Sequence, residues 1–170
     1  TKTFRKIEGK ITEEQRFGII LGGEPEKYIW NAKPMPYDFY DLKGIVEEIF
    51  SKIRFEKYTL VRTTKESYHP GRAADVYVGK EYIGTFGELH PDVMENFDLK
   101  KKLLTAELRL EALIKYSDKN IFFKGINKFP AVPRDLALVM EENILVGDVI
   151  KSISKLSPFI HNVQLFNVHQ

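Results

Sequence analysis

Apolar and polar residues recur with two different periods along this chain, and each change of period marks an element. Between Tyr37 and Ile53 ("YDFYDLKGIVEEIFSKI") the apolar positions are Phe39, Leu42, Ile45, Val46, Ile49, Phe50 and Ile53. That spacing predicts an amphipathic helix with one buried stripe. Pro34 and Pro36 precede it, Asp38 is its expected N-cap, and Asp41 lies where a capping box needs an acceptor. Elsewhere the pattern is strand-like. "RFGIILGG" (Arg16–Gly23) predicts a buried strand ending in a glycine turn, and "KYTLVRT" (Lys57–Thr63) predicts a second strand. "ADVYV" (Ala74–Val78) and "EYIGTFGEL" (Glu81–Leu89) predict a hairpin across Gly79-Lys80, because a two-residue loop led by glycine suits a type II′ turn. Pro91 suits the first turn of a short helix through Phe97. "LLTAELRLE" (Leu103–Glu111) predicts a further strand with Ala106, Leu108 and Leu110 on one face, and "LEALIKY" a closing helical turn.

A boundary is expected within Tyr116–Lys128. Beyond it "RDLALVM" (Arg134–Met140) predicts a strand, "ILVGDVIKSISKL" (Ile144–Leu156) a helix and "HNVQLFNV" (His161–Val168) a strand. The helix shows Val146, Val149, Ile150, Ile153 and Leu156 on one side. This β-α-β order is the first half of a ferredoxin-like fold. The predicted class is α+β, an antiparallel sheet with helices, in two domains, 1–118 and 119–170.

Composition narrows the function classes. With 43% apolar residues the chain can bury a core, and with no cysteine it has no disulfide, thiol nucleophile or thiolate metal ligand. No apolar run approaches the ~18 residues of a membrane helix. The N-terminal "TKTFRKIEGK" lacks a signal-peptide core and an initiator Met, which suggests a piece of a longer chain or a processed one. A cytoplasmic location is expected. Charges balance up to Asp118, and the net +2 comes from the residues after it. Neither part has the basic excess of a stand-alone nucleic-acid binder.

Candidate chemistry concentrates in "ESYHPGRAADVYVGKEYIGTFGELHPDV" (Glu66–Val93). One reading makes His69 or His90 a base oriented by Glu88 or Asp75. No Ser or Cys elbow accompanies them, and "GELHP" equally describes a strand running into a helix start. The stretch is therefore read as a frame. His69, Arg72, Glu88 and His90 are structural or subunit-contact residues, Arg72 is expected to pair with a carboxylate such as Glu88 or Asp75 or with a partner subunit, and no residue is assigned to catalysis. No metal site is expected, since His69, His90, His161 and His169 are scattered. Gly22-Gly23 is followed by Glu24 and Glu26, which oppose phosphate binding. Asp38 and Asp41 are explained by capping. In "FPAVPRDLALVM", Phe129 could stack on RNA bases and Arg134 could contact RNA; a docked linker Phe and a surface Arg–Asp pair is the plainer alternative.

Three stretches, "YDFYDLKGIVEEIF", "HPGRAADVYVGKEYIGTFGELHPDV" and "KFPAVPRDLALVMEENILVGDVIKSI", occur in an order that resembles the C-terminal part of the β subunit of bacterial phenylalanyl-tRNA synthetase. The resemblance covers most of Arg16–Gln170. It implies that the first part is similar to a class II synthetase core without catalysis, starts midway through that core, and packs against a catalytic α subunit in an (αβ)₂ heterotetramer. The second part is similar to a ferredoxin-like anticodon-binding domain without its last strands and helix. The whole enzyme of that family joins phenylalanine to tRNA(Phe) using ATP and Mg²⁺; no cofactor is expected in this segment.

Inactivity also follows from the residues. A class II core holds ATP phosphates with an Arg in a Phe-Arg-x-Glu-like strand and another in a Gly-rich strand. Here the Gly-rich strand, "YIGTFGEL", has no Arg, and "LRLE" (Leu108–Glu111) is only an echo of the first motif. Two rival classes stand beside this reading: a stand-alone RNA-binding module, which calls for a basic face, and a His/Glu hydrolase, which calls for activity loss on changing His69 or His90.

Overall fold

In the computed structural model, which describes residues 1–7, 9–25, 35–118, 129–141 and 144–168, the predicted α+β architecture is realised as a six-stranded antiparallel sheet with helices. The elements are β1 (Lys2–Ile7), β2 (Lys10–Gly22), α1 (Phe39–Lys52), β3 (Thr59–Arg62), β4 (Tyr68–Val78), β5 (Glu81–Leu89), α2 (Pro91–Asn96), β6 (Leu103–Arg109), α3 (Leu110–Tyr116) and α4 (Val146–Lys155). The sheet order is β1-β2-β6-β5-β4-β3. The chain divides into two units, Thr1–Phe122 and Phe123–Gln170.

Helix α1 begins as its sequence predicts. The Asp38 carboxylate accepts from the N–H groups of Tyr40 (2.7 Å) and Asp41 (3.2 Å), and Asp41 Oδ2 accepts from the Asp38 N–H at 2.7 Å. It ends in a Schellman motif. Arg54 turns left-handed at φ +54°, its N–H donates to the Ser51 carbonyl, and the Phe55 N–H donates to the Phe50 carbonyl. The Phe50 and Phe55 rings close the motif with centroids 4.8 Å apart. Leu42, Val46 and Phe50 are the positions of the apolar stripe that are fully buried. They pack into one core with Val76, Ile83, Phe86, Leu104, Ala106 and Leu108 of the sheet and Ala112 and Leu113 of α3. Phe39 stacks on Phe86 at 5.5 Å. Leu110, expected beside Ala106 and Leu108, instead opens α3.

Two departures concern the strands. Arg16–Gly22 does lie in β2, with Gly23 just beyond its end, but the segment is not buried as expected: Ile20 is 76% exposed, and the buried residue is Arg16. The apolar residues of β2 are divided between the helix-covered face and an uncovered one. In addition, β1 and the first half of β2 form a hairpin that periodicity did not reveal. Phe4 and Ile11 are exposed there, so no buried face imposes alternation on the sequence.

Strands β4 and β5 carry two irregularities. Ile83 is an extra residue between the pairs Val76↔Gly84 and Tyr77↔Tyr82. Near the other end Tyr68 pairs with Leu89 and Ala73 with Gly87, so His69, Pro70, Gly71 and Arg72 all stand opposite Glu88 alone. This excursion is larger than the usual two-against-one bulge, a place where Pro is tolerated because no ladder N–H is required. Where the strands rejoin, a Cβ on Gly87 would lie 2.3–2.4 Å from Ala73 Cβ and Cα and 2.6 Å from the Arg72 carbonyl oxygen. At the tip, Gly79 takes φ +59° while Lys80 does not have positive φ, the type II′ pattern.

The second unit contains α4, whose partly buried residues include Val149, Ile150 and Ile153 and which has no fully buried side chain. The strands expected at 134–140 and 161–168 are corrected: neither segment enters a ladder. In a split β-α-β arrangement the two parallel strands are not neighbours and each bonds to a strand between them. Among the described residues of this unit no such strand exists. Leu136, Leu138 and Val139 are correspondingly exposed, as are Leu165 and Phe166.

The two glycines predict different penalties. Nothing lies within 4 Å of a Cβ at Gly79, so Gly79→Ala should cost about 1 kcal/mol through backbone strain alone. Gly87→Ala must separate β4 from β5 and should cost more, about 2–3 kcal/mol. Urea unfolding of both variants measures this; equal losses would contradict the close approach.

Candidate functional site

Strict alternation gives the sheet two unlike faces. Leu104, Ala106 and Leu108 of β6 point into the core, so Thr105, Glu107 and Arg109 occupy the opposite face. The registers Asp75↔Thr85↔Glu107 and Arg16↔Arg109 place those residues on it too. Arg16 and Arg109 are directly opposed, an unfavourable pairing of like charges. Glu14 resolves it by giving one carboxylate oxygen to each: Arg16 Nη2 donates to Oε2 at 2.7 Å and Arg109 Nε to Oε1. Arg16 Nη1 also meets Glu107 at 2.9 Å, and Arg109 Nη1 lies 3.7 Å from Glu81. Glu81 Oε2 in turn accepts from Lys115 Nζ (2.6 Å) and the Tyr116 hydroxyl (2.5 Å). Burial pushes the Glu14 carboxyl up, but the hydrogen bonds and charges of Arg16 and Arg109 outweigh it and hold it below the ordinary value. Burial pulls Arg16 down, and Glu14 with Glu107 more than compensates. Arg16, Arg109 and Lys115 thus face three carboxylates, Glu14, Glu81 and Glu107.

A second chain of polar contacts crosses β4 and β5. Thr85 Oγ1 donates to the buried Asp75 carboxylate at 2.5 Å. A hydroxyl has one proton, so Thr85 accepts from the Tyr82 hydroxyl (2.6 Å), which accepts from Lys65 Nζ at 2.5 Å. The chain is directional from a surface ammonium to a buried carboxylate. Asp75 is therefore engaged by Thr85, and it is Glu88 that meets Arg72, at 3.0 Å.

The residues singled out in Glu66–Val93 gather around the bulge and the strand end. Glu88 is buried, with Arg72 Nε at 3.0 Å and Lys102 Nζ at 3.4 Å. The two His-Pro pairs use one local device. His69 Nδ1 accepts from the Gly71 N–H (3.1 Å), and His90 Nδ1, at the N-cap of α2, accepts from the Asp92 N–H (3.3 Å). An accepting Nδ1 leaves the proton of a neutral ring on Nε2. A histidine base backed by a carboxylate needs the opposite tautomer. In the second unit, Phe129 is 83% exposed and Arg134 donates to the Pro133 carbonyl at 3.0 Å.

On the helix-covered side an apolar cleft of about 230 Å³ opens between β2, α1 and α3, lined by Phe17, Ile49, Ile53, Leu110, Leu113 and Ile114. Ile114 is 57% exposed and Phe17 38%.

Against known proteins, the profile described as phenylalanyl tRNA synthetase beta chain CLM domain matches residues 1–110. The chain belongs to that family. The resemblance of its motifs to the β subunit of phenylalanyl-tRNA synthetase therefore holds. Relatives named phenylalanine–tRNA ligase beta subunit extend over nearly all of it. The one from Fusobacterium nucleatum is 40% identical over 174 residues, covering 99% of this chain and 22% of its own length. That from Clostridium tetani is 35% identical over 163 residues, covering 95% and 19%. That from Geobacillus kaustophilus is 32% identical over 160 residues, covering 93% and 20%. The chain spans about a fifth of the length of these curated relatives. Among the described residues no helix is long and apolar enough to cross a membrane.

Sequence reasoning in this family member missed Arg16, Glu14 and the Lys65–Tyr82–Thr85–Asp75 chain. The alternation of Thr105, Glu107 and Arg109 with apolar neighbours was the available signal for a polar face. Nothing in sequence placed Arg16 across from Arg109, since that depends on the β2–β6 register.

Removing Glu14 should reveal the cost of the opposed arginines. Glu14→Gln leaves the Arg16 guanidinium, 4% exposed, with Glu107 alone, for a loss of about 2 kcal/mol at neutral pH. Because the folded carboxyl lies below its ordinary value of 4.5, this stability is fully present above that value and disappears as pH falls through the lowered one. Melting curves of wild type and variant should converge in acid; a constant gap down to pH ~2 would contradict the pairing.

Proposed function

We propose that this chain is a segment of the β subunit of a phenylalanine–tRNA ligase that supports the enzyme without performing its chemistry. Its first unit packs against the catalytic α subunit of an (αβ)₂ heterotetramer, and its second contributes to recognition of the tRNA(Phe) anticodon through Phe129 and Arg134, in the cytoplasm. The observation that carries the packing role is the apolar cleft of Phe17, Ile49, Ile53, Leu110, Leu113 and Ile114, with Ile114 more than half exposed. Such surface gains from being covered by a partner. The exposure of Phe129 supports a stacking role, since a docked linker Phe would be buried.

The reading of inactivity is supported by the charge arrangement. The whole enzyme uses ATP and Mg²⁺, and a triphosphate calls for cations not already neutralised. The two arginines on the polar face are each held by two carboxylates, Arg16 by Glu14 and Glu107 and Arg109 by Glu14 and Glu81. These residues do not fit a triphosphate, and no catalytic step is derived through them.

The test is co-elution with a catalytic α subunit. Wild type should co-elute, while Ile114→Glu should weaken association at least tenfold by placing a charge in an apolar contact and keep its own melting temperature, because Ile114 is exposed in the free chain. Co-elution unaffected by Ile114→Glu would overturn the cleft as the contact. ATP–pyrophosphate exchange by the purified chain above a blank would overturn the reading of inactivity.

A further inference from the structure

A second cleft, of about 420 Å³, lies at the other end of β5, where Glu88 and Leu89 meet α2 and the approach to β6. Its lining includes Glu88, Leu89, Met94, Leu99 and Lys102, with the exposed Glu95 and Asp98. Glu88 Oε2 is a buried carboxylate oxygen with no hydrogen-bond donor. Arg72 Nε at 3.0 Å and Lys102 Nζ at 3.4 Å supply charge, but neither is aligned to donate. A carboxylate that is 7% exposed, electrostatically compensated yet short of a donor, is unusual, because buried polar atoms normally find one.

We propose that this cleft receives an arginine side chain presented by a partner protein, and that Lys102 occupies its charged end in the free chain. Three features select that ligand. Leu89, Met94 and Leu99 offer apolar surface to a methylene stem, as long basic side chains require. Glu95 and Asp98 add negative charge, so the lining holds three carboxylates against the single ammonium of Lys102. At the inner end a guanidinium can give Glu88 two parallel N–H bonds, whereas Lys102 makes only a long ionic contact. Lys102 is 43% exposed and can swing outward without unfolding anything. Arg72 does not line the cleft, so it keeps its contact and holds Glu88 in place while the cations exchange. The α2 C-terminus fixes the far wall: the Asp98 and Leu99 N–H groups donate to the Glu95 and Met94 carbonyls, both at 2.9 Å. This inference does not depend on the packing role of the apolar cleft, which lies on other elements.

The experiment titrates the isotopically labelled 170-residue chain with N-acetyl-arginine methylamide and follows the amide resonances of Leu89, Met94 and Leu99. The uncharged citrulline analogue and N-acetyl-lysine methylamide serve as comparisons. Saturable shifts are expected with the arginine compound and clearly weaker ones with the other two. Lys102→Met, which removes the resident cation, should tighten binding about fivefold or more, and Glu88→Gln should weaken it about tenfold. Glu95→Gln, at an exposed position that leaves the fold alone, should weaken it about twofold. No saturable shift in either wild type or Lys102→Met, equal shifts from the citrulline or lysine compound, or weaker binding by Lys102→Met would each overturn the proposal.

Discussion

The register between β4 and β5 is the constraint on which the first unit depends. A one-residue slip moves every side chain of a strand to the opposite face. Here a slip of β4 would turn Ala74 and Val76 out of the core and bring Asp75 into it, and a slip of β5 would do the same with Phe86 and Thr85. Three local features hold the register: the Gly79 turn, the extra Ile83, and the rejoining of the strands at Gly87 after the bulge. Gly87 matters because the backbone of Ala73 fills the space where a side chain would go. The bulge is what brings Arg72 to Glu88, so this ion pair is a consequence of strand pairing.

Given that register, the two faces of the sheet do different work. The helix-covered face buries a single apolar cluster from α1, α3, Phe55 and three strands, β4, β5 and β6. The other face gathers ionisable side chains whose charges satisfy one another. Glu14 is the key member, since it allows two arginines to sit opposite each other. An internally neutralised face has little left to offer a highly charged ligand. A phosphate-binding site calls for cations that are not already paired. The surface with unmet demand is instead the apolar cleft beside α3 and, at the end of β5, the carboxylate of Glu88.

The second unit shows how far local periodicity carries where, among the described residues, no strand offers a partner. Helix α4 forms because its register of apolar and polar residues needs only local hydrogen bonds. The flanking segments have strand composition, but a strand exists only when another strand accepts and donates its backbone bonds. Their exposed Leu, Val and Phe side chains follow directly.

By itself the sequence determined the local elements. The Asp38–Asp41 box, the apolar stripe of α1, the Gly79-Lys80 turn, the Pro91 helix start and the alternation of β6 were all legible, because each rests on contacts between residues close in the chain. It also carried the motifs by which the family is recognised. The β1–β2 hairpin was not legible, because both its faces are open and leave no alternation. Nor was the ion cluster, because Glu14 and Arg109 are far apart in sequence and meet only through β2–β6 pairing. Which of Asp75 and Glu88 would meet Arg72 was decided by the bulge, and Arg134–Met140 stands outside any ladder because, among the described residues of its unit, no strand is there to bond with. Short-range hydrogen bonding and side-chain periodicity are written in the sequence, whereas register and long-range charge pairing exist only once the strands have met.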